Sequence, residues 1–230
     1  MKILGLQKTT LLDYPGKLAS IIFTGGCNMK CPYCHNSELI SGIGEEISEE
    51  EIFTHLKKRA HTLEGLVITG GECTLQTDLF EFCQKVHNLG LEIKLDTNGT
   101  APNTLKKIVE HELVQYVAVD IKNSKDKYPS TVGFKDYNIK GIEESVSFLL
   151  EEHVPYEFRT TVVSEYHTEE DFYKIGEWIR GAKAYYIQPF KDSEQVLQKD
   201  LHTPADATLL RYKEIMSSYV KKAEIRGLDL

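Results

Sequence analysis

Three cysteines, Cys27, Cys31 and Cys34, stand in the run GGCNMKCPYCHN with the spacing C-x-x-x-C-x-x-C. A cubane of four irons takes one thiolate per iron when fully ligated, so a loop with three thiolates leaves one iron open to bind another molecule. That open iron is the expected reactive centre. Two plainer uses of these residues compete with it. His35 could join the thiols in a zinc knot, but side chains adjacent in sequence, as Cys34 and His35 are, seldom close one tetrahedron. Disulfides need an oxidising compartment, and five cysteines in a chain whose opening MKILGLQKTTLLDYPGK has no continuous apolar leader point to a reducing one. An iron-sulfur cluster is the expectation.

Three shorter motifs carry charge or backbone freedom of the kind a bound organic group needs. Gly70-Gly71-Glu72 follows the apolar run Gly65-Leu66-Val67-Ile68-Thr69; two glycines at a strand end bare the backbone, and the carboxylate beyond them can hold an ammonium. Asp96-Thr97-Asn98-Gly99 follows another apolar strand, although Asn-Gly favours a tight turn on local grounds alone. In Asp120-Ile121-Lys122 the charged residues alternate along an extended strand and share one face. Taken singly, these are two turns and a surface ion pair. Tyr33, one residue before the last cysteine, is an aromatic able to pack on a planar base, or an ordinary loop aromatic.

Residues so far apart in sequence must be brought together by the fold. Strand-like runs at Ser20–Thr24, Gly65–Thr69, Leu91–Asp96, Tyr116–Ile121, Tyr156–Val163 and Ala184–Gln188 alternate with helical patterns. The alternation predicts an α/β fold of about six βα units with parallel strands. Leu66-Val67-Ile68 and Val117-Ala118-Val119 are apolar on both faces, as buried parallel strands are. Doubly wound sheets and barrels share this pattern, but barrels gather their chemistry on loops at the strands' C-terminal ends, where all the motifs above sit. At 230 residues and 41% hydrophobic content the chain can bury one core and has no dividing linker, so a single domain over 1–230 is expected. No run reaches the apolar length of a membrane span, which points to the cytoplasm. A net charge of −8 speaks against broad nucleic-acid binding.

Together the four motifs resemble the radical S-adenosylmethionine superfamily, from the N-terminus to at least the last strand. The resemblance implies a partial TIM-like barrel of six βα units holding a 4Fe-4S cluster and S-adenosylmethionine at the strands' C-terminal ends. It further implies that Cys27, Cys31 and Cys34 bind the cluster, that Gly70, Gly71 and Glu72 hold the methionine amine, and that Tyr33 contacts adenine. Cys34-His35-Asn36, the DTNG motif and Asp120-x-Lys122 are similar to those of glycyl-radical-enzyme activases. Leu12-Asp13-Tyr14-Pro15-Gly16-Lys17 resembles the branch that activates anaerobic ribonucleoside-triphosphate reductase. That likeness implies cofactor contacts for His35, Asn98, Lys122 and Arg159, and a monovalent cation at Asp96, Thr97 and Asp120. The implied reaction is reductive cleavage of the cofactor to a 5'-deoxyadenosyl radical, which takes hydrogen from a glycine of a partner enzyme. The electron would come from a donor such as flavodoxin or ferredoxin. A radical enzyme acting on a free small molecule, of the deazapurine-forming kind, is the alternative.

The family usually has proline after GGE, where this chain has Cys73. A fourth thiolate would fill the open iron, so Cys73 is read as a small apolar residue near the site, and Cys83 as core within the helical run Leu79–Leu89. Ser48 is expected to cap a helix that starts at the acidic run Glu49-Glu50-Glu51. The stretch Asn123–Tyr137 is expected either to border a lateral opening or to be a solvated loop, and His153, His167 and His202 to ligate no metal.

Anaerobic reconstitution should therefore load one 4Fe-4S cluster per chain, which Cys27→Ser, Cys31→Ser and Cys34→Ser each lose and Cys73→Ser keeps. Iron and sulfide analysis reads this out, and cluster loss in Cys73→Ser alone overturns the assignment.

Overall fold

The structure, a computed structural model, describes residues 1–227. Eight strands form one sheet whose spatial order follows the chain: β1 (Ile3–Thr10), β2 (Ala19–Thr24), β3 (Gly65–Gly70), β4 (Glu92–Thr97), β5 (Tyr116–Asp120), β6 (Tyr156–Val162), β7 (Tyr185–Pro189) and β8 (Ala223–Ile225). β1 is antiparallel to β2, and every later pair is parallel. The six expected strands match β2 to β7 to within a residue at each end. The edge strands β1 and β8 were not anticipated.

An order that never reverses sets this sheet apart from a doubly wound one, because same-handed crossovers then put the helices on one side. The core bears this out. Leu66, Ile68, Ile93, Leu95, Val117, Val119, Phe158 and Ile187 pack into the large cluster that also holds the helices' buried residues. Tyr14, Ala19, Ile21 and Val67 form a separate cluster on the other face, with Phe23 and Tyr116 against it. Each fully buried aliphatic side chain contributes roughly 1.5–3 kcal/mol of transfer free energy, so the helix side carries most of the apolar stabilisation. The sheet curls around its helix-free face, since one cavity there is lined from β1 (Gln7) through β7 (Gln188). With β1 and β8 as its edges, the result is an open barrel.

That inner face explains why β4 does not read as a wholly apolar strand. Glu92, Lys94 and Asp96 alternate with Ile93 and Leu95, so the charges point into the barrel and the aliphatics toward the helices. Lower in the barrel, fully buried Glu157 accepts from the Tyr116 hydroxyl (2.9 Å) and from Arg226 (2.7 Å).

The helices follow local signals. In helix Glu49–Arg59 the Ser48 hydroxyl accepts from the Glu51 amide at 3.1 Å, three glutamates stand in the first turn and Lys57, Lys58 and Arg59 in the last. A cap of this kind is worth about 1 kcal/mol, and the end charges complement the helix dipole. Helix Leu79–His87 buries Cys83 with Leu79, Phe82 and Val86, as expected. The stretch after β5 is not a solvated connection: it holds the short helix Tyr128–Thr131 and buries Asn123, Ser124, Tyr128, Thr131 and Val132.

The C-terminal ends of β2 and β3 meet closely. The Gly71 amide donates to the Thr24 carbonyl (2.8 Å) and the Glu72 amide to the Gly26 carbonyl (2.7 Å). A methyl group on Gly71 would lie 2.1 Å from that same Gly26 oxygen, and Gly70 has φ +115°. Gly26 and Gly71 thus serve loop-to-loop contact, and Gly70 and Gly71 also line the inner cavity. Gly71→Ala should cost about 1–3 kcal/mol in urea unfolding through this overlap. Gly44→Ala, where a methyl meets only ordinary contacts to Leu4, should stay within about 0.5 kcal/mol. Equal midpoints for the two variants would contradict the contact.

Candidate functional site

The cysteine loop leaves β2 and is held at several backbone points. Gly26 and Cys27 donate to the Leu39 and Ile40 carbonyls (2.7 and 3.1 Å), and Lys30 donates to Val132 (3.0 Å) in the stretch after β5. Cys27, Cys31 and Cys34 all line the inner cavity, a space of about 470 Å³ that also receives Glu72, Asp96, Asp120, Lys122 and Arg159. Burial raises each thiol, Cys31 to about 12 and Cys27 and Cys34 in the same direction, so metal loading must displace their protons. Among the described residues no three His, Cys, Asp or Glu side chains converge as ligands for a single ion. The three thiols share one cavity, and three thiolates on one loop are a donor set that suits a cluster with one open iron.

Glu72 knots two strand ends together. It is 1% exposed. Its Oε1 accepts from the Thr74 amide (3.0 Å) and from the Thr74 and Thr97 hydroxyls (2.5 and 2.6 Å), and its Oε2 from the Asn98 amide (2.6 Å). Burial raises its carboxyl pKa while these donors oppose the rise. Oε2, with one donor among the described residues, keeps acceptor capacity toward an ammonium. Asn98 in turn ties the DTNG turn to the cysteine loop, its side-chain amide donating to Asn28 Oδ1 (2.9 Å) while Asn28 donates to the Thr100 hydroxyl (2.9 Å).

The inner face of β4, β5 and β6 carries a buried charge cluster. Arg159 pairs through Nη1 with Asp96 Oδ2 at 3.0 Å and through Nε with Asp120 Oδ1; Lys122 meets Asp120 Oδ2 at 2.8 Å; Lys94 meets Asp96 Oδ1. Burial opposes ionisation of both carboxyls, but Arg159, with Lys94 at Asp96 and Lys122 at Asp120, outweighs it and holds each below the usual range. Burial likewise opposes the Lys122 ammonium, and Asp120 overcomes it and raises that pKa. Removing one partner from such a cluster strands a charge and costs about 3–5 kcal/mol.

Asp96, Thr97 and Asp120, the expected monovalent-cation residues, all engage neighbouring side chains. All four oxygens of Asp96 and Asp120 hold a side-chain cation, and the Thr97 hydroxyl donates to Glu72. Each of these carboxylate oxygens has one cationic partner and keeps further acceptor capacity, and Asp96, Thr97 and Asp120 all line the cavity. Lys94 was missed by sequence reasoning, although the alternation that pairs Asp120 with Lys122 also pairs Lys94 with Asp96.

Other expected residues have their own settings. Tyr33 is 3% exposed, tilted against Tyr166 (5.8 Å between ring centroids) and near His167, with its buried hydroxyl unpartnered among the described residues. Tyr33 also borders the cavity. His35 stacks on Phe190 at 5.5 Å, and burial lowers its pKa. Cys73 is fully buried; its thiol donates to the Asp96 carbonyl at 3.1 Å, and burial pushes its pKa well up. His167 uses both ring nitrogens on backbone, accepting from the Val163 amide (3.1 Å) and donating to the Lys122 carbonyl (2.9 Å).

Comparisons with known proteins agree with this geometry. The family model described as the radical SAM superfamily matches residues 21–179. A Methanocaldococcus jannaschii protein provisionally named a glycyl-radical enzyme activating enzyme is 33% identical over 231 residues, covering 98% of this chain and 95% of its own. The pyruvate formate-lyase 1-activating enzyme of Escherichia coli is 25% identical over 245 residues, covering 96% of this chain and 97% of its own. A solved domain of a pyruvate-formate lyase-activating enzyme from Bacteroides vulgatus shares the fold, with a TM-score of 0.58 at 18% identity over 71% of this chain and 99% of that one. No helix among the described residues is long and apolar enough to cross a membrane. Family match, full-length relative and a cavity that joins three thiols to a charged strand rim together identify the chain as a member of the radical SAM superfamily and, within it, of the glycyl-radical enzyme activating family.

Proposed function

We propose that residues 1–230 form one radical SAM domain that generates a glycyl radical on anaerobic ribonucleoside-triphosphate reductase. The observation that carries this reading is the opening of three thiols and the Asp96–Arg159–Asp120–Lys122 cluster into one cavity. Family membership implies the 4Fe-4S cluster and S-adenosylmethionine; the choice of partner rests on the likeness of LDYPGK and CHN to the reductase-activating branch.

In this reading Cys27, Cys31 and Cys34 hold the cluster. Glu72 takes the methionine ammonium on Oε2, with the Gly70 and Gly71 backbone beside it. Lys122 and Arg159 face the methionine carboxylate, a charge-assisted contact in a partly desolvated site. Tyr33 and His35 flank the adenine end, and Asn98 fixes the distance between the DTNG turn and the cysteine loop. When bound, the cluster and cofactor supply one-electron cleavage of the sulfonium and a 5'-deoxyadenosyl radical, with flavodoxin or ferredoxin as the class of electron source. The chain itself need move no proton, because hydrogen-atom transfer from a glycine Cα asks for distance and dryness. Met29, Ile21 and Phe23 give the cavity an apolar wall for that purpose.

Reduced enzyme with S-adenosylmethionine and the reductase is expected to give 5'-deoxyadenosine and an organic radical whose electron paramagnetic resonance doublet collapses when the partner's glycine is deuterated at Cα. Replacing that glycine by alanine should abolish the signal. Cofactor cleavage without a glycyl radical on any glycyl-radical partner, together with turnover of a free small molecule, would establish the alternative.

A further inference from the structure

Leu11 and Leu12 are 72% and 91% exposed, and they stand side by side in the turn that carries β1 into β2. A single exposed leucine needs no explanation. An adjacent pair does here, because the turn is held at both ends and buries its other large residue. The Thr10 hydroxyl accepts from the Leu12 and Asp13 amides (3.2 and 3.3 Å) and donates to the Asp13 carboxylate. Tyr14 is buried with Ala19, Ile21 and Val67 on the inner face of the sheet, and its hydroxyl donates to Glu92 at 3.2 Å. Lys17 closes the turn on the same glutamate at 2.7 Å. The turn therefore presents the two leucines to solvent while it packs the tyrosine between them and β2 into the barrel.

This turn lies where the cavity reaches the surface. Gln7 of β1 and Asp13 are both exposed, and both line the cavity that receives the three thiols. The sheet is unclosed between its edge strands β1 and β8, and the turn follows directly on the first of them. A molecule entering the cavity past Gln7 and Asp13 lies beside Leu11 and Leu12. Size and charge narrow what that molecule is. Two leucines make a patch of at most a few hundred Å², whereas a stable interface buries roughly 1,200 Å² or more in all. The pair is too small to hold a second copy of the chain, and a net charge of −8 disfavours an anionic membrane surface. A protein that is also held by a segment lying in the cavity fits both limits. We propose that Leu11 and Leu12 are the docking point for the body of the glycyl-radical partner, seated in an apolar recess of that protein while its glycine segment enters the cavity beside them. This rests on the proposed function and adds to it a surface that selects the partner.

The test sets the whole partner against its glycine segment alone. Cluster-loaded chain carrying both Leu11→Ser and Leu12→Ser is assayed on the intact reductase and on a synthetic peptide spanning its radical glycine. Substitutions at such exposed positions leave folding nearly unchanged. The KM for the reductase should rise about tenfold or more, as the loss of two buried leucines implies. The rate at saturation, the KM for the peptide and the dissociation constant of S-adenosylmethionine should each stay within about twofold of wild type, because none of them involves the docking point. Leu11→Met with Leu12→Met should bring the KM for the reductase back to within about threefold, since methionine conserves volume and apolarity. An unchanged KM for the reductase in the serine variant overturns the inference. So does an equal loss on reductase and peptide, which would place the effect inside the cavity. A wild-type dimer that the serine variant turns into a monomer in sedimentation overturns it in favour of a second copy, and wild-type binding to phosphatidylglycerol vesicles that the variant loses overturns it in favour of a membrane. A wild type that cleaves the cofactor but loads no radical on any glycyl-radical partner overturns the proposed function and the docking point with it, a failure that shows without any variant.

Discussion

A guanidinium on β6 bridges a carboxylate on β4 and another on β5, and the alignment of the strands' C-terminal ends depends on that bridge. Arg159 presents a planar fork, so Nε and Nη1 can address Asp120 and Asp96 at once, which a lysine's point charge could not do with comparable direction. The two acids sit on adjacent strands and would repel each other if left alone. With Lys94 and Lys122 on their outer oxygens, the row becomes a directional belt in which both acids are paired. Its desolvation is costly, and the cluster is therefore a poor device for stability and a good one for fixing position. The helix-side core supplies stability; the belt sets where the cavity's polar end lies.

A second set of bonds transmits that position to the loops. Glu72 receives donors from its own turn and from the DTNG turn, Asn98 and Asn28 couple the DTNG turn to the cysteine loop, and Val132 receives the Lys30 amide from the far side. Three cysteines on a loop would otherwise sample many arrangements, and the entropy of ordering them would fall on metal binding. Here much of that cost is met when the chain folds. The close backbone approach of Gly26 and Gly71 belongs to the same economy, since a side chain at Gly71 would push the cysteine loop away from β3.

Sequence made some of this legible for identifiable reasons. β2 to β7 are buried on the helix side throughout and stand out as apolar runs between helical patterns. β1 does not, because an edge strand with Gln7, Lys8 and Thr9 exposed has no apolar face to advertise, and β8 is too short to carry a period. The cysteines stood out by their spacing, taken together with the three shorter motifs. The partnership of Asp120 with Lys122 followed from the period of two, and Lys94 with Asp96 obeys the same rule. It escaped because a lysine inside a strand reads as a solvent-facing residue until the inner side of the sheet is known to be the site. The Asn28–Asn98 link joins residues seventy positions apart, and no local pattern encodes it. Tyr33 had the right neighbourhood, but its burial against Tyr166 comes from the later part of the chain.

The cavity is polarised from one side to the other, and that polarity bears on how a bound molecule must lie. Toward β4, β5 and β6 it offers Asp96, Asp120, Lys122 and Arg159; toward β2 it offers Ile21 and Phe23, with Gln7 of β1 beyond. A ligand with a zwitterionic end and an uncharged remainder loses least solvation in one orientation, its charged end on the belt. Under the proposed function, the reactive part of the molecule then lies against the apolar wall of Ile21 and Phe23, away from the charged belt. Specificity for hydrogen transfer over side reactions would come from this separation: charge is concentrated where it binds and withheld where the chemistry occurs.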